Sequence, residues 1–307
     1  MKTKILIAGI GGVGGYYGGL LAQKYANNPD IEIYFLARGQ HLEQMQQHGL
    51  KLITEGGTYM IHPTLATDNI LEIGKVDYLI ITTKAYDLDK TIEQLKPCIE
   101  NHTVILPLLN GIDITDRISR LLPKSKVWYG CVYIVARLKE PGVVESSGNV
   151  HGFNFGSENL SDNQLLAFQK ILVDAGIEAR LSDSIKEIIW TKFFFISPTA
   201  SLTSYFDVSF GELITDSERK DTLIKMLEEL LLIAKAEGSS IDCSIVEKII
   251  QRLEVLPLES TSSMHSDFNA GRQTELKTLT GIVIDLGKKN HISTPIYQKV
   301  FDSLSKK

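Results

Sequence analysis

The chain has 307 residues, 43% hydrophobic and 22% charged, with a formal net charge of -5 and a sequence pI near 5.8. That length exceeds one typical domain and suits two, with apolar residues enough for a sizeable core. The acidic balance and the absence of a Lys/Arg block exclude nucleic acid as the main partner, and no run reaches the ~20 apolar residues of a membrane span.

Cys98, Cys131 and Cys243 are scattered, with neither disulfide nor metal-ligand spacing, so no metal is expected and the expected compartment is the reducing cytoplasm. Lys2 and Lys4 before an apolar run superficially resemble a signal peptide. Seven glycines between Gly9 and Gly19 break that pattern.

The first apolar run, Ile5 to Ala8, leads into Gly9-Ile10-Gly11-Gly12-Val13-Gly14, and a helix-like stretch follows to about Tyr25. This is G-x-G-x-x-G between a strand and a helix, the context in which it marks a dinucleotide site. Gly9 permits the tight turn, Gly11 lets backbone approach a pyrophosphate, and Gly14 lets strand and helix pack. Gly9, Gly11, Gly12, Val13 and Gly14 are therefore the candidate cofactor-binding turn, with the helix start attracting the diphosphate. The bland alternative is a tight βα turn with no ligand.

A second strand, Ile31 to Ala37, ends in Arg38-Gly39. NAD sites usually place an acid at this strand end, whereas the only nearby acid, Glu32, sits at its start. Arg38 instead suits a 2′-phosphate through its planar fork, so NADPH/NADP+ is the expected cofactor. An ordinary solvated arginine is the other reading.

Beyond a polar helix-like stretch from His41 to His48 comes a β-rich excursion, Leu50 to Thr64. Strands at 76–83 and 103–109 flank a helix-like segment, Asp87 to Ile99, and end in Lys84 and Asn110. Strands alternating with helices imply a parallel sheet covered on both faces. Ligands in such sheets bind outside the carboxyl ends, so Lys84 and Asn110 are candidates for both cofactor and substrate. A solvated lysine and an Asn-Gly turn fit the same positions.

Val127 to Gly156 reads as antiparallel or mixed strands closing the sheet, with His151 a structural histidine. A helix at 162–175 and a strand near 177–181 complete the first domain. The expected boundaries are 1–182 and 183–307, the second part all-helical, with helices near 183–206, 211–237, 243–254, 262–269, 274–287 and 295–305.

Within the apolar stripe Ile185, Ile188, Ile189 and Ile196, position 192 carries lysine. Shielded from water, Lys192 suits proton donation near neutral pH; otherwise it snorkels to solvent. Ser262-Ser263 and Thr274-Glu275 read either as site residues or as helix caps and dipole-favoured first-turn groups.

Gly9 to Gly14, Lys84-Ala85-Tyr86, Asn110-Gly111, Trp190-Thr191-Lys192, Gly211-Glu212-Leu213, Ser262-Ser263-Met264 with Asp267, and Thr274-Glu275 form an ordered set. Over nearly the whole chain this set resembles the ketopantoate reductase (2-dehydropantoate 2-reductase) family. The resemblance implies a Rossmann-type doubly wound parallel sheet followed by an all-helical domain like that of 6-phosphogluconate dehydrogenase. It further implies NADPH-dependent reduction of 2-dehydropantoate to pantoate on the route to pantothenate and coenzyme A. By it, Lys192 is the general acid and Glu275 tunes it, Ser263 and Asn110 bind substrate, Lys84 joins cofactor and substrate, and Arg38 holds the 2′-phosphate.

One departure bears on substrate. Where the family usually has asparagine, this chain has Ile196 and Ala200, although Ser197, Ser201 and Thr203 offer nearby hydroxyls. The expected partner is a small 2-ketoacid, with a homodimer as a possible assembly. A more apolar 2-ketoacid or an imine, or a non-catalytic NADPH sensor, are the other readings.

Overall fold

The computed structural model describes residues 2–159 and 161–307. The chain forms two compact units, Met1–Leu109 with Ile114–Ile185, and Asn110–Asp113 with Lys186–Lys307. Sequence pattern divides the chain once, after residue 182; in the structure the four residues 110–113 also group with the helical unit.

The strands of the first unit, in chain order, are β1 (Thr3–Ala8), β2 (Ile31–Leu36), β3 (Leu50–Thr54), β4 (Gly57–Ile61), β5 (Leu65–Thr67) and β6 (Tyr78–Ile81). They continue with β7 (Val104–Pro107), β8 (Lys126–Val127), β9 (Tyr129–Glu140), β10 (Val143–Gly156) and β11 (Ala179–Leu181). Its helices are α1 (Gly12–Tyr25), α2 (Gly39–His48), α3 (Ile70–Ile73), α4 (Leu88–Leu95), α5 (Ile114–Leu121) and α6 (Asn163–Asp174).

Six strands, ordered β5-β2-β1-β6-β7-β8, pair in parallel throughout. Successive side chains leave a strand on opposite faces, and here those faces feed separate cores. Ile5, Ile7, Ile33 and Phe35 join Tyr17 and Leu21 of α1 and Phe168 of α6. Leu6, Ala8, Tyr34 and Leu36 join Leu88 and Ile92 of α4 and Ile118 of α5. Apolar runs buried on both sides are what a doubly wound sheet requires.

The β-rich segment after residue 127 does not close this sheet as the sequence pattern suggests. It builds a second sheet, ordered β11-β10-β3-β4, with β9 also paired to β10. The near end of β10 runs parallel to β3, its far end runs parallel to β11, and β9 lies antiparallel along it. Alternation of apolar residues marks strands without naming their partners. This sheet lies against α1: a Cβ on Gly12 would stand 2.2 Å from the Ala136 carbonyl oxygen, and one on Gly15 would stand 2.5 Å from Val144. Close packing of β9 and β10 on α1 thus explains glycines that a nucleotide motif does not need.

The second unit holds α7 (Ile185–Phe206, of which Lys186 onward belongs here), α8 (Phe210–Thr215), α9 (Ser217–Ala236), α10 (Ser244–Glu254) and α11 (Ser263–Asn269). A π-helical turn (Lys277–Gly281) runs into α12 (Ile282–Lys289), and α13 (Pro295–Leu304) follows. Phe193, Phe194, Leu227, Leu230, Val283 and Tyr297 are among its core residues. The helix expected over 211–237 is two helices, because the Asp216 side chain accepts from the Arg219 N–H at 2.9 Å and starts α9 afresh. The one expected at 274–287 begins only at Leu276, leaving Glu275 ahead of it. Among the described residues no helix is long and apolar enough to cross a membrane.

Candidate active site

At the start of α1, Gly11 caps the helix without any side-chain hydrogen bond, and the first turn holds no acid. The leading N–H groups of a helix lack intrahelical partners and carry the positive end of its dipole. Gly9 has φ +98, a region open to glycine, and a Cβ on Gly14 would stand 2.0 Å from the Gly9 carbonyl oxygen. Gly11 faces open space, with nothing within 4 Å of a would-be Cβ. Uncapped donors beside an unfilled face fit a dinucleotide diphosphate. At Gly12 the missing side chain makes room for β9 instead, leaving only its backbone for a ligand.

Neighbouring strand ends hold this turn. Gly9 N–H donates to the Leu36 carbonyl at 3.1 Å, and the Thr82 hydroxyl donates to the carbonyls of Ala8 and Gly9. Arg38, two residues past β2, is exposed and makes no hydrogen bond or ion pair with any described residue. Glu32 is occupied: it accepts from Lys2 at 2.8 Å and from the Tyr34 hydroxyl at 2.7 Å. Those two hydrogen bonds, the lysine's foremost, hold its carboxyl below the usual range. Lys84 is half-buried at the head of a short 3-10 turn, Ala85–Asp87.

Two residues beside the turn carry no motif signal. The Thr83 hydroxyl is buried with no hydrogen-bond partner among the described residues, and its methyl lies 2.9 Å from where a Gly9 Cβ would be. His41 of α2 places Nε2 2.7 Å from the Ile10 carbonyl oxygen, while its Nδ1 accepts from Gly142 N–H at 2.8 Å. A histidine early in a polar helix gives no hint of such a role from sequence.

In the helical unit, the Lys192 ammonium donates to Asn110 Oδ1 at 2.9 Å. Lys192 is half-buried; Phe193 and Phe194, beside it in sequence, are the residues sealed in the core. The side chain is therefore held by a polar partner at the margin of the apolar face, in place of a free excursion into solvent. Asn110 stands next to Gly111, whose φ of +124 turns the chain at this point.

Glu275 is only 4% exposed and stands two residues ahead of the π turn. Such turns are rare in helices and recur at functional sites. The Ser197 hydroxyl donates to the Leu279 carbonyl at 2.6 Å, and the Ser201 hydroxyl meets that of Thr280 at 2.7 Å, fixing α7 against this turn. Lys192 lies between one and two helical turns ahead of Ser197 on α7, and Glu275 about one turn ahead of Leu279.

Ser262 performs the capping of α11, accepting from His265 N–H at 3.1 Å, while Ser263 is exposed. The hydroxyls near the two absent asparagines are not free to replace them. Ser197, Ser201 and Thr203 are fully buried and bonded to Tyr297, Thr280 and Ser262 respectively. Ala200 is 3% exposed within the apolar core, and Ile196 is half-buried at its edge.

Sequence profiles described as Ketopantoate reductase PanE/ApbA and Ketopantoate reductase PanE/ApbA C terminal match residues 5–159 and 184–307. The crystal structure of 2-dehydropantoate 2-reductase from Porphyromonas gingivalis W83 is 33% identical, covers 99% of this chain and 100% of its own, and superposes with TM-score 0.87. A Bacillus subtilis (strain 168) protein named uncharacterized oxidoreductase YkpB is 29% identical, over 98% of this chain and 97% of its own. The ternary structure of D-mandelate dehydrogenase with NADH and anilino(oxo)acetate is 25% identical, over 99% and 97% respectively, with TM-score 0.86. With both profiles matched in order on a parallel-sheet unit followed by a helical one, this chain is an oxidoreductase of the ketopantoate reductase family.

Proposed function

We propose that this protein reduces a 2-ketoacid with NADPH, and that the substrate is 2-dehydropantoate, giving pantoate for pantothenate synthesis in the cytoplasm. The observation that carries the reading is the Lys192–Asn110 hydrogen bond of 2.9 Å, which holds a half-buried ammonium in one place. A bound nicotinamide dinucleotide supplies the hydride; this chain supplies the cradle and the proton.

Gly9, Gly11, Val13 and Gly14 hold the diphosphate, with the Gly12 amide among the donors. The unpaired Arg38 takes the 2′-phosphate, and Lys84 serves cofactor and substrate together. Reduction of a ketone leaves negative charge on its oxygen, which a positioned cation stabilises before giving up a proton. Lys192 does both, with Asn110 aiming its Nζ and sharing the substrate with Ser263. The buried carboxyl of Glu275 holds and tunes Lys192, as the family resemblance implies. Positioned general acids contribute on the order of 10²–10⁴ in rate.

A second reading keeps this machinery and changes the substrate to a more apolar 2-ketoacid. Ile196 and Ala200 favour it, since neither presents an amide to a hydroxylated substrate. Similarity to a D-mandelate dehydrogenase at 25% identity supports it as well. Purified protein mixed with NADPH and either ketopantoate or a panel of apolar 2-ketoacids separates the two by loss of nicotinamide absorbance. Fast turnover of ketopantoate supports the first reading, and turnover only elsewhere in the panel supports the second. NADPH binding without turnover of any ketone contradicts both.

A further inference from the structure

We propose that His41 is a positioning residue of the dinucleotide turn: as its Nε2–H tautomer it bridges the Ile10 carbonyl and the Gly142 N–H, and protonation breaks the bridge at Nδ1, frees the ring from its seat behind the turn and weakens dinucleotide binding. This inference rests on the dinucleotide-binding part of the function proposed above.

The two hydrogen bonds of His41 settle its tautomer. Gly142 N–H is a donor, so the Nδ1 that meets it at 2.8 Å presents a lone pair. The proton therefore sits on Nε2, which donates to the Ile10 carbonyl at 2.7 Å. A neutral imidazole has one donor and one acceptor, and here both are used.

Ile10 lies between Gly9 and Gly11, inside the turn. In a trans peptide the C=O and the following N–H point in opposite directions. Holding the Ile10 carbonyl toward His41 therefore directs the Gly11 N–H away from it. Gly11 is the position whose Cα faces open space, where a diphosphate has room. His41 also stands three residues after Arg38, so its two bonds anchor the first turn of α2 behind that guanidinium. Gly142 itself is fixed, with φ +80 and its carbonyl accepting from Lys51 N–H at 2.8 Å.

A second proton on His41 puts an N–H on Nδ1, facing the Gly142 N–H across the same gap. Donor then meets donor, the Gly142 contact opens, and the ring that holds the Ile10 carbonyl loses its second anchor. On β9 and β10 beside the turn, Arg137 and Lys139 are both paired with Glu145. The glycine turn itself has no titratable side chain; Arg38, Glu43 and Glu140 on the flanking segments are exposed, and Lys51 is half-buried. Burial holds the imidazole below the ordinary histidine range, partly offset by the Ile10 carbonyl. A depressed value means the neutral form persists to lower pH, with the bridge intact above the ordinary value near ~6.5 and lost well below it.

The test compares dissociation constants for NADPH in the wild-type protein and His41→Gln, at about pH 7.5 and at an acidic pH where nitrogen-15 NMR shows the wild-type His41 ring doubly protonated. Glutamine keeps a donor for Ile10 and does not titrate, and any titration of the cofactor phosphate affects both proteins alike. The wild type is expected to lose about tenfold more affinity than His41→Gln on acidification, the worth of one hydrogen bond. Equal losses overturn the proposal. Nitrogen-15 NMR of the wild-type imidazole at about pH 7.5 reads the tautomer even if the variant fails to fold. An Nε2–H, Nδ1-unprotonated ring is expected, and an Nδ1–H or doubly protonated ring overturns it. No NADPH binding by the wild type at about pH 7.5 overturns the underlying cofactor reading along with it, whatever the NMR shows.

Discussion

Lys192 and Asn110 are joined by a 2.9 Å hydrogen bond from ammonium to side-chain carbonyl, linking the middle of α7 to the loop that follows β7. A lysine has four flexible side-chain bonds, and a fixed acceptor removes most of the freedom of its tip. Replacing Asn110 with Ala is expected to lower kcat about 10- to 100-fold through lost orientation, with NADPH affinity changed far less. Steady-state kinetics with a dinucleotide-binding titration checks this, and an unaltered kcat contradicts it.

Arg38 stands beyond the end of β2, unpaired among the described residues, while Glu32 near the other end of that strand is tied to Lys2 and Tyr34. Exchanging Arg38 for Asp is expected to cut the preference for NADPH over NADH by about 10- to 100-fold, as for a lost charged hydrogen bond. The ratio of kcat/KM with the two cofactors reports it. A ratio equal to the wild type's removes Arg38 from 2′-phosphate recognition.

Thr83 gives a prediction with opposite signs in two measurements. Its buried hydroxyl lacks a partner among the described residues, a state that disfavours folding. Thr83→Val is expected to raise the stability of the cofactor-free protein by about 1 kcal/mol, since an isosteric apolar group removes that penalty. The same change is expected to weaken NADPH binding several-fold through loss of the hydroxyl's bond to the dinucleotide, and unchanged affinity contradicts that bond. Denaturant melts and binding titrations of one preparation test both, and a loss of stability contradicts the first.

How much of this was legible beforehand depends on how local each signal is. The glycine turn is local, and Gly9 and Gly14 do in the structure what their spacing implies. The parallel sheet was readable because strands buried on both faces are apolar throughout. The second sheet was not, because β10 chooses β3 and β11 across long stretches of chain. Lys192 stood out as a cation in an apolar stripe, and its tie to Asn110 is a tertiary contact no spacing encodes. His41 and Thr83 were silent for the same reason: their meaning lies in the backbone groups they meet or fail to meet.

The two absent asparagines are not equivalent positions. Ile196 is half-buried, whereas Ala200 is sealed among apolar residues. Ile196→Asn is expected to shift kcat/KM toward ketopantoate and away from apolar ketoacids by about tenfold, through a hydrogen bond to the substrate's polar groups. Ala200→Asn is expected mainly to destabilise, by about 1–3 kcal/mol, because it buries an amide without room or partner. Kinetics on the substrate panel and thermal melts of both variants distinguish them. A stable Ala200→Asn with altered selectivity contradicts this division.

The most direct measurement follows nicotinamide absorbance with NADPH and 2-ketoacids for wild-type protein and Lys192→Ala, beside NADPH titrations of both. Turnover by the wild type, a loss of about 10²- to 10⁴-fold in kcat for the variant, and near-equal NADPH affinity are expected. Undiminished turnover by Lys192→Ala would contradict its role as proton donor and the reaction built on it.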